Sequence, residues 1–291
     1  MTLETTELTL SEALTLLHAQ LAFLARENGL RCLFIKGPAV FAQGLREPRQ
    51  SSDVDIWLEQ EAINKLAGDL YKLGWKNRPT DPYASPFSSH SLTLYSPNWP
   101  CDIDIHSRIP GMEASSQDAF ESVWVGRENH IMAGIPLSIP STEASRLILA
   151  LHSLRSKESP REPAEYNSLI GQDFKDFKEF QDLALATNSV GALKPFLRDT
   201  QSYSLFDYYP EPSTEWLHLS SQKSHAEKRL DAVAKSPVSK LPLALWRATF
   251  PSKEALMVHD LYQDTSFIGI LKTNIGRYKR GLRAIKEKVT R

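Results

Sequence analysis

The sequence predicts an α+β protein, with a mixed sheet and flanking helices over residues 1–140 and a mainly helical region over residues 141–291. Two observations predict this fold class. Before Pro140, short strand-like runs alternate with segments whose apolar residues have helical spacing. After Pro140, most segments have helical spacing, and a chain of 291 residues is long enough for two domains with separate cores.

The bulk composition predicts a cytoplasmic protein that does not enter a membrane. The net charge of −1 provides no general attraction to nucleic acid or anionic lipid. The first ten residues contain no Lys or Arg, unlike a signal peptide, and the apolar stretch Ala13 to Ala25 is too short to span a bilayer. Cys32 and Cys101 are too few for a disulfide framework or a Cys-rich zinc site, which suits a reducing compartment.

The first elements are a helix, a strand and a second helix. Ser11 is the expected N-cap of the first helix, because leucines at helical spacing follow it. Arg31 to Ile35 reads as a short buried strand that runs into Lys36-Gly37. Pro38 suits the first turn of a helix, which we expect over residues 39–45.

The next elements complete the predicted sheet. Asp53 to Leu58 has the alternation of a strand, and Glu61 to Leu73 has helical spacing. Pro79 to Ser89 is rich in Pro and Ser and reads as a loop. Ser91 to Tyr95 and Cys101 to His106 are the remaining strand candidates.

The region after Pro140 starts with an apolar helix at Arg146 to His152. Ser156 to Ser168 contains two prolines among charged residues and reads as a flexible connection. Asp173 to Ala186 has an apolar residue at every third position in its first part and predicts an amphipathic helix.

Asp53 and Asp55 are the first candidates for a metal site. Alternate residues of a strand point to the same side, with α-carbons roughly 6.6 Å apart. Two carboxylates in this arrangement can bind Mg²⁺ jointly, since Mg²⁺ prefers oxygen ligands. An Asp-x-Asp pair alone is also typical of a solvated strand end, so the pair needs further support.

Asp102, Asp104 and His106 provide that support. They alternate with Ile103 and Ile105 and therefore share one face of a strand. Three ionisable groups on one face are costly to hold together without a cation or solvent. The alternative is the polar outer face of an edge strand.

Lys36, Gly37 and Arg49 are candidates for binding phosphate. Gly37 allows close backbone approach at a strand-to-helix turn, and Lys36 adds a positive charge. A tight turn chosen for its geometry is the alternative explanation. Arg49 stands four residues before Asp53, where it would bind phosphate or pair with an acid.

Three motifs together resemble the DNA polymerase beta superfamily and, more narrowly, the poorly characterised bacterial nucleotidyltransferase family five. The motifs are Leu33-Phe34-Ile35-Lys36-Gly37, Arg49 to Ile56 and Asp104-Ile105-His106. The similarity extends into the helical region, at Leu149 to His152 and at Phe250-Pro251-Ser252, although the specific motifs lie in the first 110 residues. The resemblance implies a nucleotidyltransferase fold.

The resemblance also implies a two-metal phosphoryl transfer. Asp53 and Asp55 would hold Mg²⁺, with Mn²⁺ as a second candidate, and Asp104 would complete the catalytic metal site. An acceptor hydroxyl would attack the α-phosphate of a nucleoside triphosphate and expel pyrophosphate. The acceptor would be a small molecule, a peptide, a protein or tRNA.

Within the same resemblance, the phosphates would lie near Lys36 and Gly37. Arg49 and His106 are the further nucleotide-binding candidates, with a purely structural imidazole as the alternative for His106. Pro38 departs from the superfamily, which usually has Gly-Ser or Gly-Gly at this turn, because proline offers neither a hydroxyl nor an N–H.

Two other functions are compatible with these residues. Pro38 is the best evidence for a catalytically degenerate protein that binds a nucleotide or a partner protein. A metal-dependent glycosyltransferase also uses an Asp-x-Asp pair, but Asp104 and the upstream Lys36-Gly37 argue against it.

The end of the chain is basic and raises the possibility of an RNA partner. Only Glu287 opposes its positive charges, which are Lys272, Arg277, Lys279, Arg280, Arg283, Lys286, Lys288 and Arg291. These residues could contact phosphates, or they could form a solvated helix face. A single aromatic residue in the segment, Tyr278, is too few for a base-stacking surface.

Overall fold

The computed structural model describes residues 8–49, 51–79, 90–155, 162–201 and 211–221. Residues 1–77 and 89–220 form one compact unit, and residues 78–88 and 221–291 form a second, of which only Arg78, Pro79 and Ser221 are described. The predicted loop after Pro79 and the basic terminal segment therefore lie outside the described residues. The predicted division near residue 140 stays a prediction.

The strands form a five-stranded sheet and a separate two-stranded hairpin. They are β1 (Cys32–Phe34), β2 (Asp53–Leu58), β3 (Lys76–Asn77), β4 (Ser91–Tyr95), β5 (Asp102–His106), β6 (Glu128–Met132) and β7 (Ile135–Ile139). The sheet has the order β1-β2-β5-β4-β3, in which β2 and β5 are parallel and the other neighbours are antiparallel. This confirms the predicted mixed sheet and the α+β class.

Nine helices lie in the described part of the chain. They are α1 (Leu10–Glu27), α2 (Gly37–Ala42), α3 (Gln60–Lys72), α4 (Ser116–Val125), α5 (Thr142–Arg155), α6 (Glu162–Ile170), α7 (Phe177–Ala186), α8 (Val190–Asp199) and α9 (Thr214–Leu219). None of the described helices is long and apolar enough to cross a membrane.

Helix α1 begins earlier than the sequence predicted. Thr9, not Ser11, is the N-cap, because its hydroxyl accepts from the Glu12 N–H while the Glu12 carboxylate accepts from the Thr9 N–H at 2.9 Å. This reciprocal capping box satisfies two N–H groups of the first turn. Ser11 lies inside the helix, and the leucines that predicted the helix, including Leu17 and Leu21, are fully buried.

The two faces of the sheet pack against two different hydrophobic clusters. Val54, Ile56 and Leu58 belong to the cluster that includes α1 and α3, whereas Trp57 belongs to the cluster that includes α4 to α9. Alternating residues of β2 thus point to opposite sides, as predicted. The side that carries Asp53, Asp55 and Trp57 is therefore the side on which the helical region packs.

Helix α5 is buried almost all round, and an internal ion pair makes this possible. Glu143 and Arg146 are 1% and 2% exposed and lie 3.0 Å apart. Glu143 also accepts from the N–H groups of Lys175 and Asp176, and Arg146 donates to three backbone carbonyls of residues 169–173. The pair is thus fully hydrogen-bonded, as a buried charge pair requires.

Two expectations for the helical region are wrong in detail. The predicted connection of residues 156–168 becomes helical at Glu162, because Leu169 and Tyr166 of α6 pack into the core. The amphipathic helix expected from Asp173 begins at Phe177, where Asp176 caps it by accepting from the Glu179 N–H at 3.0 Å. Residues 173–176 instead bind the Glu143–Arg146 pair through their backbone.

Candidate metal and nucleotide site

The pairing of β2 with β5 brings the predicted acidic residues onto neighbouring strands. In this parallel pair, Asp53 lies opposite Asp102, Asp55 opposite Asp104 and Trp57 opposite His106. Partners in register project to the same face of a sheet, so the Asp53–Asp55 pair and the Asp104–His106 pair share one surface. Neighbouring strands are only about 4.8 Å apart, which is close enough for their carboxylates to share a ligand.

Asp55, Asp104 and His106 form a tight group whose ligand atoms all lie within 4.8 Å of one another. His106 Nε2 lies 2.9 Å from Asp55 Oδ1 and 3.2 Å from Asp104 Oδ2. Thr93 Oγ1 on β4 donates to the other Asp104 oxygen at 3.0 Å. Asp53 lies outside this group, and its Oδ1 accepts from the Ser51 hydroxyl at 2.7 Å.

Lys36 reaches the same carboxylate from the turn before α2. Its Nζ lies 2.8 Å from Asp55 Oδ1, and both side chains are largely buried. The Lys36 backbone has φ 63° and ψ −153°, a region occupied almost only by glycine, at a cost of about 1–3 kcal/mol. A residue in this conformation persists only where the surrounding packing holds it in place.

These contacts keep two of the carboxyl groups ionised. Burial raises the pKa of Asp55, but the Lys36 ammonium and the His106 hydrogen bond outweigh it and hold this pKa well below the usual range. Asp104 is buried as well, yet its hydrogen bond with His106 lowers its pKa to about 2. For His106, burial opposes protonation, but the bonds to Asp104 and Asp55 leave its pKa raised.

The pKa of Asp53 is shifted in the opposite direction. Burial and then the charge of Asp55 raise the pKa of Asp53, because no cation compensates it as fully as Lys36 compensates Asp55. A divalent cation beside Asp53 and Asp55 would remove this penalty. The oxygen donors of Asp53, Asp55 and Asp104 suit Mg²⁺ and Mn²⁺, so the residues present fit such an ion.

The Lys36–Gly37 turn is held in place from the helical region. Arg46 is 9% exposed and donates to the Gly37 carbonyl at 3.3 Å and to Glu165 of α6 at 3.2 Å. Arg49 also approaches Glu165, at 3.6 Å, so one buried carboxylate is shared by two guanidinium groups. Arg49 thus approaches an acid in the structure, and its predicted contact with phosphate stays a prediction.

Three residues that lie near the carboxylates were not identified from the sequence. Thr93 follows the same alternation as Ser91 on β4, a signal that could have identified it. His90 lies with its ring centroid 5.8 Å from that of His106, and Arg155 of α5 donates to His90 Nε2 at 2.9 Å. Burial and then the charge of Arg155 lower the pKa of His90 to about 3, so His90 is neutral. No local pattern indicated His90 or Arg155.

The solved structures to which this chain is similar are distant in sequence. An antigenic nucleotidyltransferase-like protein from Paracoccidioides brasiliensis is 15% identical, with 68% of this chain and 98% of that chain covered and a TM-score of 0.41. The antibiotic-resistance factor ANT(2'')-Ia is 14% identical, with 65% and 97% covered and a TM-score of 0.41. The lincosamide antibiotic adenylyltransferase LnuA is 14% identical, with 56% and 98% covered and a TM-score of 0.36.

No curated protein matches the chain. The family comparison does give a match, which spans residues 5–190 and thus more than half of the chain. The matched range contains the Lys36–Gly37 turn, both acidic strands and helices α1 to α7. The resemblance predicted from the motifs is therefore confirmed, and the chain belongs to the family described as uncharacterised nucleotidyltransferase.

Proposed function

We propose that the protein is a Mg²⁺-dependent enzyme that transfers a nucleoside monophosphate from a nucleoside triphosphate to an acceptor hydroxyl and releases pyrophosphate. The observation that carries this proposal is the in-register pairing of Asp55 with Asp104 on parallel strands, with the Lys36 ammonium 2.8 Å from the Asp55 carboxylate. Membership of a nucleotidyltransferase family supports the reaction class.

In this proposal Asp53, Asp55 and Asp104 hold the divalent cations. When bound, such cations stabilise charge on the attacking and leaving oxygens of phosphoryl transfer. Mg²⁺ is the expected ion because the proposed ligands are all carboxylates, and Mn²⁺ is the second candidate. Asp55 and Asp104 are ionised before any cation binds, so binding need not displace a proton from either of them.

The remaining residues bind and orient the nucleotide. Lys36, Gly37 and Arg49 contact its phosphates, and His106 contacts phosphate or acceptor. The acceptor oxygen forms a bond to the α-phosphorus while the bond from that phosphorus to the bridging oxygen breaks. The electron pair leaves with pyrophosphate, and Asp104 accepts the hydroxyl proton.

The test is pyrophosphate release from each of the four nucleoside triphosphates with Mg²⁺. Acceptors are supplied in four separate pools, namely small molecules, peptides, proteins and tRNA. Release with one pool is expected to be lost in Asp55→Asn and Asp104→Asn. Asp69→Asn is the matched control, because Asp69 of α3 contacts Lys72 and the α1 C-cap residue Asn28 and lies outside the site.

Equal release by Asp55→Asn and the unchanged protein would overturn the mechanism. Nucleotide binding without release in any pool would favour the degenerate binding protein, for which Pro38 in the first turn of α2 is the specific observation. Release of a nucleoside diphosphate from a nucleotide sugar would instead favour a glycosyltransferase.

If the acceptor is RNA and binds the basic terminal segment, its binding should weaken steeply as the salt concentration rises. A cytoplasmic location stays a prediction.

A further inference from the structure

A cavity of about 360 Å³ lies between α1 and α2, outside the carboxylate group described above. Its wall includes Leu14 and His18 from α1, Phe41 from α2, and Arg49 and Ser51 from the segment before β2. This volume is within the range of sites that hold small organic ligands, which is about 300–1,000 Å³.

The cavity adjoins the proposed catalytic carboxylates. Ser51 lines the cavity and also donates its hydroxyl to Asp53 Oδ1 at 2.7 Å. Gly37, which follows the strained Lys36, lines the cavity on the side of α2. A molecule in the cavity would thus lie beside the Lys36–Gly37 turn on one side and one residue, Ser51, away from Asp53 on the other.

The lining suits a flat, largely apolar group. Phe41 is 50% exposed although it is aromatic, and the rings of Pro38 and Pro48 also line the cavity. Among the described residues that line it, none is acidic, and Arg49 is the one basic side chain. Arg49, which the proposed function assigns to phosphate, is thus the one charged side chain of the described lining, and the remaining lining suits an uncharged part of the nucleotide.

One buried polar side chain, His18, gives the cavity a hydrogen-bonding preference. His18 is 4% exposed, and its Nδ1 lies 2.7 Å from the Leu14 carbonyl, to which it must donate. Burial lowers the pKa of His18, so the ring is neutral and Nε2 carries a lone pair. That Nε2 lies beside Gly37, 3.7 Å from the position that a Cβ atom would occupy there.

We propose that this cavity binds the nucleobase of the nucleoside triphosphate, with Phe41 as a stacking surface and His18 Nε2 as an acceptor for an amino group on the base. The inference rests on the proposed function, since it assigns a part of that substrate to a place beside the same site. It predicts a preference for bases that carry an exocyclic amino group over uracil.

The first experiment compares nucleotide affinities of the full chain with Mg²⁺, measured by calorimetry with non-hydrolysable triphosphate analogues and with the nucleoside monophosphates. Loss of a stacking partner weakens binding by about tenfold or more, so Phe41→Ala should weaken both triphosphate and monophosphate to this extent. Phe23→Ala is the matched control, because Phe23 is 46% exposed on α1 and does not line the cavity. It should leave both affinities unchanged.

The second experiment changes the ligand and leaves the protein intact. The triphosphate of purine riboside, which lacks the amino group of adenosine, should bind the unchanged protein about fivefold more weakly than ATP, as expected for one lost hydrogen bond. In His18→Leu the two ligands should bind equally. This comparison uses the ratio of two affinities for one protein, so the absolute affinity of the variant does not matter. If His18→Leu does not fold, Phe41→Ala still tests the proposal, because Phe41 is half-exposed.

The outcomes separate this inference from the proposed function. If Phe41→Ala weakens triphosphates but not monophosphates, the cavity holds the phosphate tail and the inference is overturned. If Phe41→Ala leaves all nucleotide affinities unchanged but lowers the transfer rate to an acceptor, the cavity holds the acceptor, and the inference is again overturned while the proposed function stands. If the unchanged protein binds no nucleotide, both are overturned.

Discussion

Replacement of Asp55 by Asn should lower both stability and activity, and the structure gives the size of the first effect. Asp55 is 8% exposed and accepts from Lys36 Nζ at 2.8 Å and from His106 Nε2 at 2.9 Å. Asn has the same shape and keeps an oxygen acceptor, but it removes the charge that compensates the Lys36 ammonium and that helps to raise the pKa of His106.

The expected loss of unfolding free energy is about 2 kcal/mol. Removing one partner of a buried ion pair costs about 3–5 kcal/mol. Two features reduce the cost here: His106 keeps its contact with Asp104 at 3.2 Å, and Asp53 is relieved of a like charge that raises its pKa. A hydrogen bond to a charged group is worth about 1.5–3 kcal/mol, which supports the same size of effect.

The assay is urea denaturation of the metal-free protein at pH 7, followed by tryptophan fluorescence, beside the pyrophosphate-release assay. Asp69→Asn should leave the unfolding free energy nearly unchanged, because Asp69 forms a surface pair with Lys72, a side chain that is 79% exposed, and an Asn side chain keeps an oxygen that can accept from Asn28. If Asp55→Asn were as stable as this control, the cluster would not be the compensated ion-pair network inferred here. A fall in stability with full activity would refute its catalytic role alone.

Three further outcomes are expected. Folding raises the pKa of His106, so protonation of His106 stabilises the fold fully below the unfolded pKa of about 6.5, and this stabilisation is lost as pH rises through the higher folded pKa. The difference in unfolding free energy between the metal-free protein and His106→Gln, measured by urea denaturation, should therefore shrink above about pH 6.5. Glu165→Gln should lower the unfolding free energy by about 3 kcal/mol, since it leaves buried Arg46 without its charge partner, and denaturation that is unchanged would contradict this. Gly111→Ala should lower the unfolding free energy by about 3 kcal/mol in the same measurement, because φ is +94° there and a Cβ atom would lie 2.7 Å from Leu151 and Trp216. Gly44→Ala is the control, because φ is +75° there but the space is open, and it should cost only about 1 kcal/mol. Equal effects would show that the close contacts at Gly111 are relieved without cost.

Local patterns predicted most elements of the described fold, with errors at their ends. The strand Ser91–Tyr95 was placed correctly, and the helix expected over residues 39–45 proved to span Gly37–Ala42. The first strand is one residue shorter at each end than predicted, and the helix after β2 begins and ends one residue earlier. Helix α4 and the β6–β7 hairpin were not predicted. The hairpin turn uses Ala133 and Gly134, both at positive φ, and an Ala at such a position gives little signal in a sequence.

The candidate site shows the same division between local and long-range information. A strand has a period of two residues, and this period decides which of its residues share a face. The sequence alone therefore predicted that Asp53 and Asp55 share one strand face and that Asp104 and His106 share another. The exclusion of Asp53 from the tight group could not be predicted, because it depends on which carboxylates His106 reaches across two strands. The assignment of these residues to catalysis, metal and nucleotide binding stays a prediction.

By itself, the sequence determined the alternation of acidic and apolar residues on two strands, the strand-to-helix turn at Lys36-Gly37 and the family. These are local features, since they depend on the conformational period of a few neighbouring residues. Only the tertiary structure decided that β5 lies parallel to β2, that Glu165 of α6 holds the turn through Arg46, and that α1 and α2 enclose a cavity beside Ser51. These contacts join segments far apart in the chain. These contacts form only if the free energy gained by packing the whole core exceeds the entropic cost of closing the intervening loops. That difference depends on the whole chain, so a short stretch of sequence cannot predict it.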